Sequence, residues 1–290
     1  MRRIRGTTRV IAILGDPVEH SRSPAMHNAA FAALDLDYVY VALRVHPEEL
    51  SAAMAGIRAL GVAGLNVTVP HKEAILPLLD GLSSAARAIG AVNAVVREGT
   101  RLVGHNTDAE GFLRAVARLG FRPRGKTAVL LGAGGSARAV AWSLSQAGVA
   151  RLVILNRDVV RASALAVALR ARGNPRIEAG PLDRARDVET MGGADLVVNC
   201  TSLGLDGRSA PRVAVGAAPS HCLFYDLVYG PRPTPFVTAA RRRGRTAENG
   251  ERMLLEQAGL AFRLWTGRRP PIDVMAKALA PSRRSVRSSR

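Results

Sequence analysis

Lys72 closes the stretch Asn66-Val67-Thr68-Val69-Pro70-His71-Lys72 in a chain that writes its cations almost always as Arg. Of 41 Lys and Arg residues only three are Lys: Lys72, Lys126 and Lys277. An ammonium differs from a guanidinium in one useful way, because suitable surroundings can bring its proton loss toward neutral pH. Lys72 is therefore a candidate proton-transfer residue. Hydroxyls, amides and a carboxylate recur at the neighbouring strand ends. Ser21 and Ser23 lie in HSRSP, Asn66 and Thr68 beside Lys72, Asn93 in GAVNA, and Asn106, Thr107 and Asp108 in GHNTD. In an open α/β sheet ligands bind beyond the carboxyl ends of the strands. This set describes a seat for a polyhydroxylated carboxylate. Each residue has a structural alternative: Ser21 and Ser23 as helix caps, Asn93 as a turn residue, Asp108 as the cap of its helix.

A second cluster reads as a cofactor seat. Gly132, Ala133, Gly134, Gly135, Ser136 and Ala137 follow the apolar TAVLL and open a helix. They fit G-x-G-x-x-G/A, where the first Gly makes the turn, the second admits a diphosphate and the last small residue lets helix approach strand. The alternative is a tight β-to-α turn with no ligand. Roughly 20 residues further on, NAD-binding sheets place a carboxylate on the ribose 2′-hydroxyl. Here the strand ends at Asn156, followed by Arg157 and, one helical turn later, Arg161. Guanidiniums pair with phosphate by parallel hydrogen bonds, which favours NADP over NAD. Two solvated surface arginines are the alternative, and Asp158, a carboxylate beside the expected phosphate, weighs against the phosphate.

The elements that would hold these residues alternate. Residues 9–15 read as a strand, 23–35 as a helix capped by Ser23 with Pro24 at its first position, 38–45 as a strand and 47–61 as a helix. A strand over 63–70, a helical stretch over 72–80 and a hairpin across Gly99-Thr100 follow. This order predicts an α/β domain with a largely parallel sheet. After a helix over 108–120 and the linker FRPRGK, a second βα series runs through strands at 127–135, 151–157, 194–204 and 223–231. The end is helical, with an apolar stripe of Met253, Leu254, Gln257, Leu260, Ala261 and Leu264 that needs a partner, for which the first domain is expected. The expected division is 1–108 with 245–280, then 109–244, then a basic disordered tail over 281–290.

Bulk composition is that of an ordinary globular chain: 290 residues, 48% hydrophobic and 22% charged. No apolar run approaches the roughly 18 residues of a membrane span, and the opening MRRIRGTTRVIAILGDP reads as a first strand rather than a signal peptide. Cys200 and Cys222 are too few for a disulfide framework and are expected as free thiols in the cytoplasm. The net charge of +18 is spread along the chain, and aromatics at 4% do not interleave with it. No nucleic-acid partner is expected on that pattern. Six scattered His give no metal-ligand spacing, so no metal is expected.

Nine segments in order, SRSPAMHN, NVTVPHK, GAVN, NTD, GAGGSAR, NR, NCTSLG, DLVY and the Met253-Leu254 to Gln257 run, resemble the shikimate dehydrogenase family over about residues 9–280. The resemblance implies an N-terminal α/β substrate domain, a Rossmann NADP-binding domain and C-terminal helices returning to the first. It implies reversible, NADPH-dependent reduction of 3-dehydroshikimate to shikimate, on the route to aromatic amino acids, by a monomer or homodimer. By the same resemblance Ser21, Ser23 and Tyr229 would hold the substrate carboxylate. Asn66, Thr68, Asn93, Asp108 and Gln257 would read the ring hydroxyls, Lys72 and Asp108 would form the catalytic pair, and Leu227 and Gly250 would approach the nicotinamide. Two departures stand out: Ala94 and Asp158 occupy positions where the family usually has Thr. The second leaves room for some use of NAD, whereas Ser23 favours shikimate over quinate. The rival readings are a quinate/shikimate dehydrogenase with relaxed cofactor choice, an aminoshikimate-type relative, and a dinucleotide-binding regulator or nucleic-acid binder.

Overall fold

The computed structural model describes residues 4–170 and 176–279; the expected tail over 281–290 lies outside them. It divides into two units, one running to Thr107 and resuming at Gln257, the other Asp108–Glu256. The first unit holds β1 (Arg9–Gly15), α1 (Ser23–Ala33), β2 (Tyr38–Arg44), α2 (Leu50–Ala59), β3 (Gly64–Val67), α3 (His71–Ala74), β4 (Gly81–Leu82), α4 (Ser84–Ile89), β5 (Ala94–Glu98) and β6 (Arg101–His105). Its sheet has the order β2-β1-β3-β5-β6-β4. The β1–β2, β1–β3 and β4–β6 pairs are parallel, whereas β3–β5 and β5–β6 are antiparallel. A hairpin can only add antiparallel strands, so the tight turn after Glu98 makes the sheet mixed. Pro77 limits the helix expected over 72–80 to the single turn of α3 and a 3-10 turn over Leu76–Leu78.

The second unit holds α5 (Asp108–Arg118), β7 (Thr127–Leu131), α6 (Gly135–Gln146), β8 (Arg151–Asn156), α7 (Val159–Arg170), β9 (Ile177–Pro181), α8 (Val188–Gly192), β10 (Leu196–Asn199), β11 (Leu223–Asp226), α9 (Pro235–Arg242) and β12 (Thr246–Glu248). All five strand pairings are parallel, in the order β12-β11-β10-β7-β8-β9. Strands covered on both faces are near-continuous apolar runs. Accordingly Ala128, Leu130, Leu152 and Ile154 join one core while Val129, Leu131, Val153 and Leu155 join the other. The chain winds outward from β7 to β8 and β9 on one side and to β10, β11 and β12 on the other. That reversal is the topological switch point of a dinucleotide-binding sheet.

One expected linker and one expected boundary change. FRPRGK is a loop inside the second unit, because Phe112, Ala115 and Val116 of α5 pack into the core beside β7 and β8. The short, polar β12 pairs with β11, so the chain rejoins the first unit at Gln257 rather than near residue 245. There α10 (Glu251–Thr266) and α11 (Ile272–Leu279) complete it, α11 packing on α1. Met253, Gln257 and Ala261 of the expected stripe are buried and Leu264 is exposed; toward its C-terminal end α10 buries Ala258, Ala261, Phe262 and Trp265, spaced i, i+3, i+4, i+7. Phe262 stacks on Phe31, and Trp265 donates its indole N–H to the Val95 carbonyl at 2.9 Å. Burying two such aromatics contributes about 2–3 kcal/mol each. Against this cluster lies His27, fully buried, stacked on Tyr40 at 4.6 Å and edge-on to Trp265 at 5.2 Å. Neither ring nitrogen has a hydrogen-bond partner, and burial pushes its pKa down to about 3.

Candidate active site

Strand register gathers the amides of the first unit. Asn66 on β3 stands opposite Ala94 on β5, which stands opposite His105 on β6. Because β5 runs antiparallel, its entrance (Asn93) meets the exits of β3 and β6. Asn93 is 2% exposed. Its Oδ1 accepts from the Thr107 N–H at 2.7 Å, and its Nδ2 donates to Thr107 Oγ1 at 2.9 Å and to Gln257 Oε1 at 3.2 Å. Asn66, also buried, donates from Nδ2 to the Asn93 carbonyl at 2.9 Å and accepts at Oδ1 from the Tyr40 hydroxyl at 2.7 Å. Asn66, Asn93, Thr107 and Gln257 thus form one buried amide–hydroxyl group, so Asn93 is far more than a turn residue. Tyr40 was not singled out from the sequence; it sits 26 residues from Asn66 in the strand YVYVALR.

The remaining residues of this unit lie on adjoining loops. β1 and β3 are parallel neighbours, with Leu14 opposite Val67, so the segments after them leave the sheet on the same side. Ser23 is buried and opens α1, but the cap position falls on Arg22 and no side chain caps the helix. The expected capping role of Ser23 is therefore absent: a residue inside the first turn carries its own N–H into the helix and cannot fold back as the cap. The Ser23 N–H instead donates to Ser21 Oγ at 3.3 Å. The Thr68 N–H donates to the Leu14 carbonyl, and the Val92 N–H donates to the Lys72 carbonyl at 2.8 Å, which ties the half-buried Lys72 to the segment leading into Asn93. His71 does not alternate with Lys72 as it would on a strand, since both lie in the turn of α3. It is buried with Nε2 2.7 Å from the Val45 carbonyl oxygen.

Asp108 is the first residue of α5 in the second unit and is 4% exposed. In that unit the carboxyl ends of the parallel strands carry the other candidates. Gly132 follows β7 at φ +111, and a Cβ there would meet the Cys200 carbonyl and the Thr201 nitrogen at 3.1–3.2 Å. Only glycine fits on both counts. Gly134 caps α6, with open space where its Cβ would be. Ala133 and Ala137 are buried against the sheet, and Gly135 and Ser136 begin the helix. The first N–H groups of a helix have no carbonyl partner within it and face its positive end. An unobstructed turn of this kind fits a diphosphate. At the end of β8, Asn156 donates from Nδ2 to the Asp158 carbonyl at 2.9 Å. The Asp158 carboxylate accepts from the Val160 N–H at 3.0 Å and the Arg161 N–H at 3.4 Å. Asp158 thus caps α7, between the exposed Arg157 and Arg161.

Leu227 and Gly250 are pressed together. A Cβ on Gly250 would lie 2.2 Å from the Leu227 carbonyl oxygen, so no side chain can stand there. Tyr229 is half-buried two residues on. Beneath them is a network that sequence reading missed. Asp226, fully buried, accepts from Asn199 Nδ2 at 2.8 Å, from the Val228 N–H at 3.0 Å and from the Thr234 hydroxyl at 2.6 Å. Burial pushes its pKa up to about 6, against those three hydrogen bonds. Asn199 Oδ1 in turn accepts from the Thr201 N–H and hydroxyl. The same burial keeps the Cys200 thiol protonated, raising it well above the usual thiol range, and both cysteines are free. Among the described residues no three His, Cys, Asp or Glu stand close enough to hold a metal, and no helix is long and apolar enough to cross a membrane.

Three family models match successive stretches of the chain. Residues 13–95 match the family model described as shikimate dehydrogenase substrate binding domain, residues 115–205 that of shikimate / quinate 5-dehydrogenase, and residues 250–280 that of the shikimate 5′-dehydrogenase C-terminal domain. The chain is 50% identical over 277 residues to a shikimate dehydrogenase (NADP+) of Symbiobacterium thermophilum, covering 94% of each. Among solved structures it is similar to shikimate 5-dehydrogenase from Thermus thermophilus in complex with NADP(H) and shikimate. That match has a TM-score of 0.81 and 40% identity, over 93% of this chain and 98% of the other. It is also similar to quinate dehydrogenase from Corynebacterium glutamicum in complex with NAD, with a TM-score of 0.83 and 34% identity, over 93% and 98%.

Proposed function

The chain belongs to the shikimate dehydrogenase family, and from that premise we propose how its residues divide the work. The reaction is the reversible, NADP-dependent reduction of 3-dehydroshikimate to shikimate. The observation that supports the assignment of roles best is the buried group of Asn66, Asn93, Thr107 and Gln257 at the strand ends beside Lys72. Buried amides and hydroxyls discriminate strongly between a ring that carries matching hydroxyls and one that lacks them.

Ser21 and Ser23, with Tyr229, hold the substrate carboxylate. Asn66, Thr68, Asn93, Asp108 and Gln257 hold the ring hydroxyls. Gly132 to Ala137 seat the diphosphate, Asn156, Arg157 and Arg161 the 2′-phosphate, and Leu227 and Gly250 line the nicotinamide. Bound NADPH supplies the hydride for the ketone carbon. As that carbon is reduced, the carbonyl π electrons pass to oxygen, and the Lys72 ammonium gives that oxygen a proton and regains one from water. In the oxidative direction neutral Lys72 takes the hydroxyl proton. Asp108 orients the hydroxyl and the ammonium. The first unit serves as the substrate domain and the second as the NADP domain. The setting is cytoplasmic, in keeping with two free thiols, and the working unit is a monomer or homodimer.

Initial rates of nicotinamide absorbance with shikimate and quinate, each with NADP+ and NAD+, test the reading. The expected result is the highest kcat/KM for shikimate with NADP+. Comparable rates with quinate or NAD+ would place the enzyme with the broader quinate/shikimate group, a reading that Asp158 favours. No turnover with any pair would overturn both.

A further inference from the structure

The Asp226 carboxylate is fully buried, and its three hydrogen-bond partners are an amide, a main-chain N–H and a hydroxyl; none is a cation. A charge placed so is unfavourable unless its hydrogen bonds do something a neutral residue cannot. An ionised carboxylate is acceptor-only, with room for several donors at once. Here the donors come from three separate segments: Asn199 at the end of β10, Val228 in the turn after β11, and Thr234 at the cap of α9. A side-chain amide at 226 would point an N–H at one of them.

One of these bonds has a geometric effect beyond its own strength. The Val228 N–H and the Leu227 carbonyl belong to a single peptide plane and point in opposite directions. Fixing the N–H on Asp226 therefore aims the carbonyl. That carbonyl faces the position that only a glycine at 250 leaves open, and the Gly250 N–H donates to the next carbonyl, of Val228, at 3.2 Å. The second bond, through Asn199, holds the Thr201 segment. The backbone just before it, at Cys200, closes against Gly132 of the diphosphate turn.

We propose that Asp226 is a positioning residue of the hydride-transfer step, aiming the Leu227 carbonyl at the nicotinamide end of the cofactor and locking that turn to the loop behind the glycine-rich motif. The proposal rests on the assignment of Leu227 and Gly250 to the nicotinamide. It acts through Leu227 and touches neither substrate nor the reacting atoms.

The test compares Asp226→Asn, Thr234→Val and Thr234→Ser in the full chain. The readouts are kcat at saturating substrates, NADPH affinity, affinity for 2′,5′-ADP (which carries only the adenosine end), and the melting temperature. Asp226→Asn is expected to lower kcat about 10- to 100-fold, the size of effect that a small misplacement of reacting groups produces. NADPH affinity should fall with it, while 2′,5′-ADP affinity and the KM for shikimate stay near wild type. Thr234→Val, which removes one donor, should give the same pattern more weakly, and Thr234→Ser should restore it. Equal losses of NADPH and 2′,5′-ADP affinity with a lowered melting temperature would mean a merely structural role and overturn the proposal. Gly250→Ala separates the premise: normal NADPH affinity and rate in that variant would sink the nicotinamide assignment. Impairment there with a wild-type-like Asp226→Asn would sink the role of Asp226 alone.

Discussion

Tyr40→Phe removes one oxygen and leaves nearly everything else in place. The ring is 2% exposed and stacks on His27 at 4.6 Å, and a Phe ring keeps that contact, so no cavity of consequence forms. What disappears is the 2.7 Å bond to Asn66 Oδ1, on a residue only 4% exposed. A buried acceptor left without its donor costs about 1–3 kcal/mol. Part of that should appear as lost stability of the first unit. The rest should appear in binding, because the Asn66 amide keeps its bond to the Asn93 carbonyl but loses the second contact that holds it in place. Each 1.4 kcal/mol carried into binding is about tenfold in affinity, so a several-fold to tenfold rise in the KM for shikimate is expected. kcat should change less, since Lys72 is untouched. Urea unfolding followed by Trp265 fluorescence in a Trp142→Phe background, with steady-state kinetics alongside, measures both. An unchanged urea midpoint together with an unchanged KM would refute the idea that Tyr40 fixes the amide.

Lys72→Arg keeps the charge but not the exchangeable proton, and kcat should fall about 10²-fold or more with little change in the KM for shikimate; a rate near wild type would remove Lys72 from proton transfer. Gly250→Ala sets a Cβ against the Leu227 carbonyl oxygen at 2.2 Å. Main chain must move there, so weaker NADPH binding is expected in a fluorescence titration. Asp158→Thr replaces one good helix cap by another while removing a carboxylate beside the phosphate seat. The NADP+ to NAD+ ratio of kcat/KM should rise roughly fivefold, the worth of about 1 kcal/mol of charge repulsion, with the melting temperature nearly constant.

Periodicity and glycine chemistry made much of the fold legible. The continuous apolar runs of β7, β8, β10 and β11 announce a buried parallel sheet, and Gly132 to Ala137 mark its central turn. Short or polar elements were not legible: Gly81–Leu82 and Thr246–Glu248 bury too little to carry a pattern, yet the second decides where the chain changes units. The face of α10 was read only in part: Met253, Gln257 and Ala261 of the expected stripe are buried, but Leu264 is exposed, and Leu255, Ala258, Phe262 and Trp265, which the stripe left out, are buried. Candidate residues at strand ends could be read as types. Their partners could not, since Tyr40–Asn66 and Asn93–Gln257 join residues 26 and 164 apart, the first brought together by the sheet and the second by the return of α10. Asp226 was passed over as part of the strand expected over 223–231, and nothing in DLVY says that three donors converge on its carboxylate.

His27 gives the molecule a weak flank toward acid. Its folded pKa of about 3 lies below the 6.5 of an exposed imidazole, so the stability it contributes is whole above pH 6.5 and drains as pH falls from there toward 3. The full loss is about 5 kcal/mol at most, at 1.36 kcal/mol for each pH step. Asp226 runs the other way. Its folded value of about 6 lies above the ordinary 3.8, so its contribution is whole below pH 3.8 and is lost as pH rises through 6. Acidification from neutrality thus loosens the aromatic cluster that fastens α1 and α10 while relieving the strain of a buried charge in the other sheet. The two indoles fall one in each unit, Trp265 and Trp142. An acid titration should therefore release Trp265 first and leave an intermediate in which the unit of Trp142 is still folded but shikimate is no longer bound.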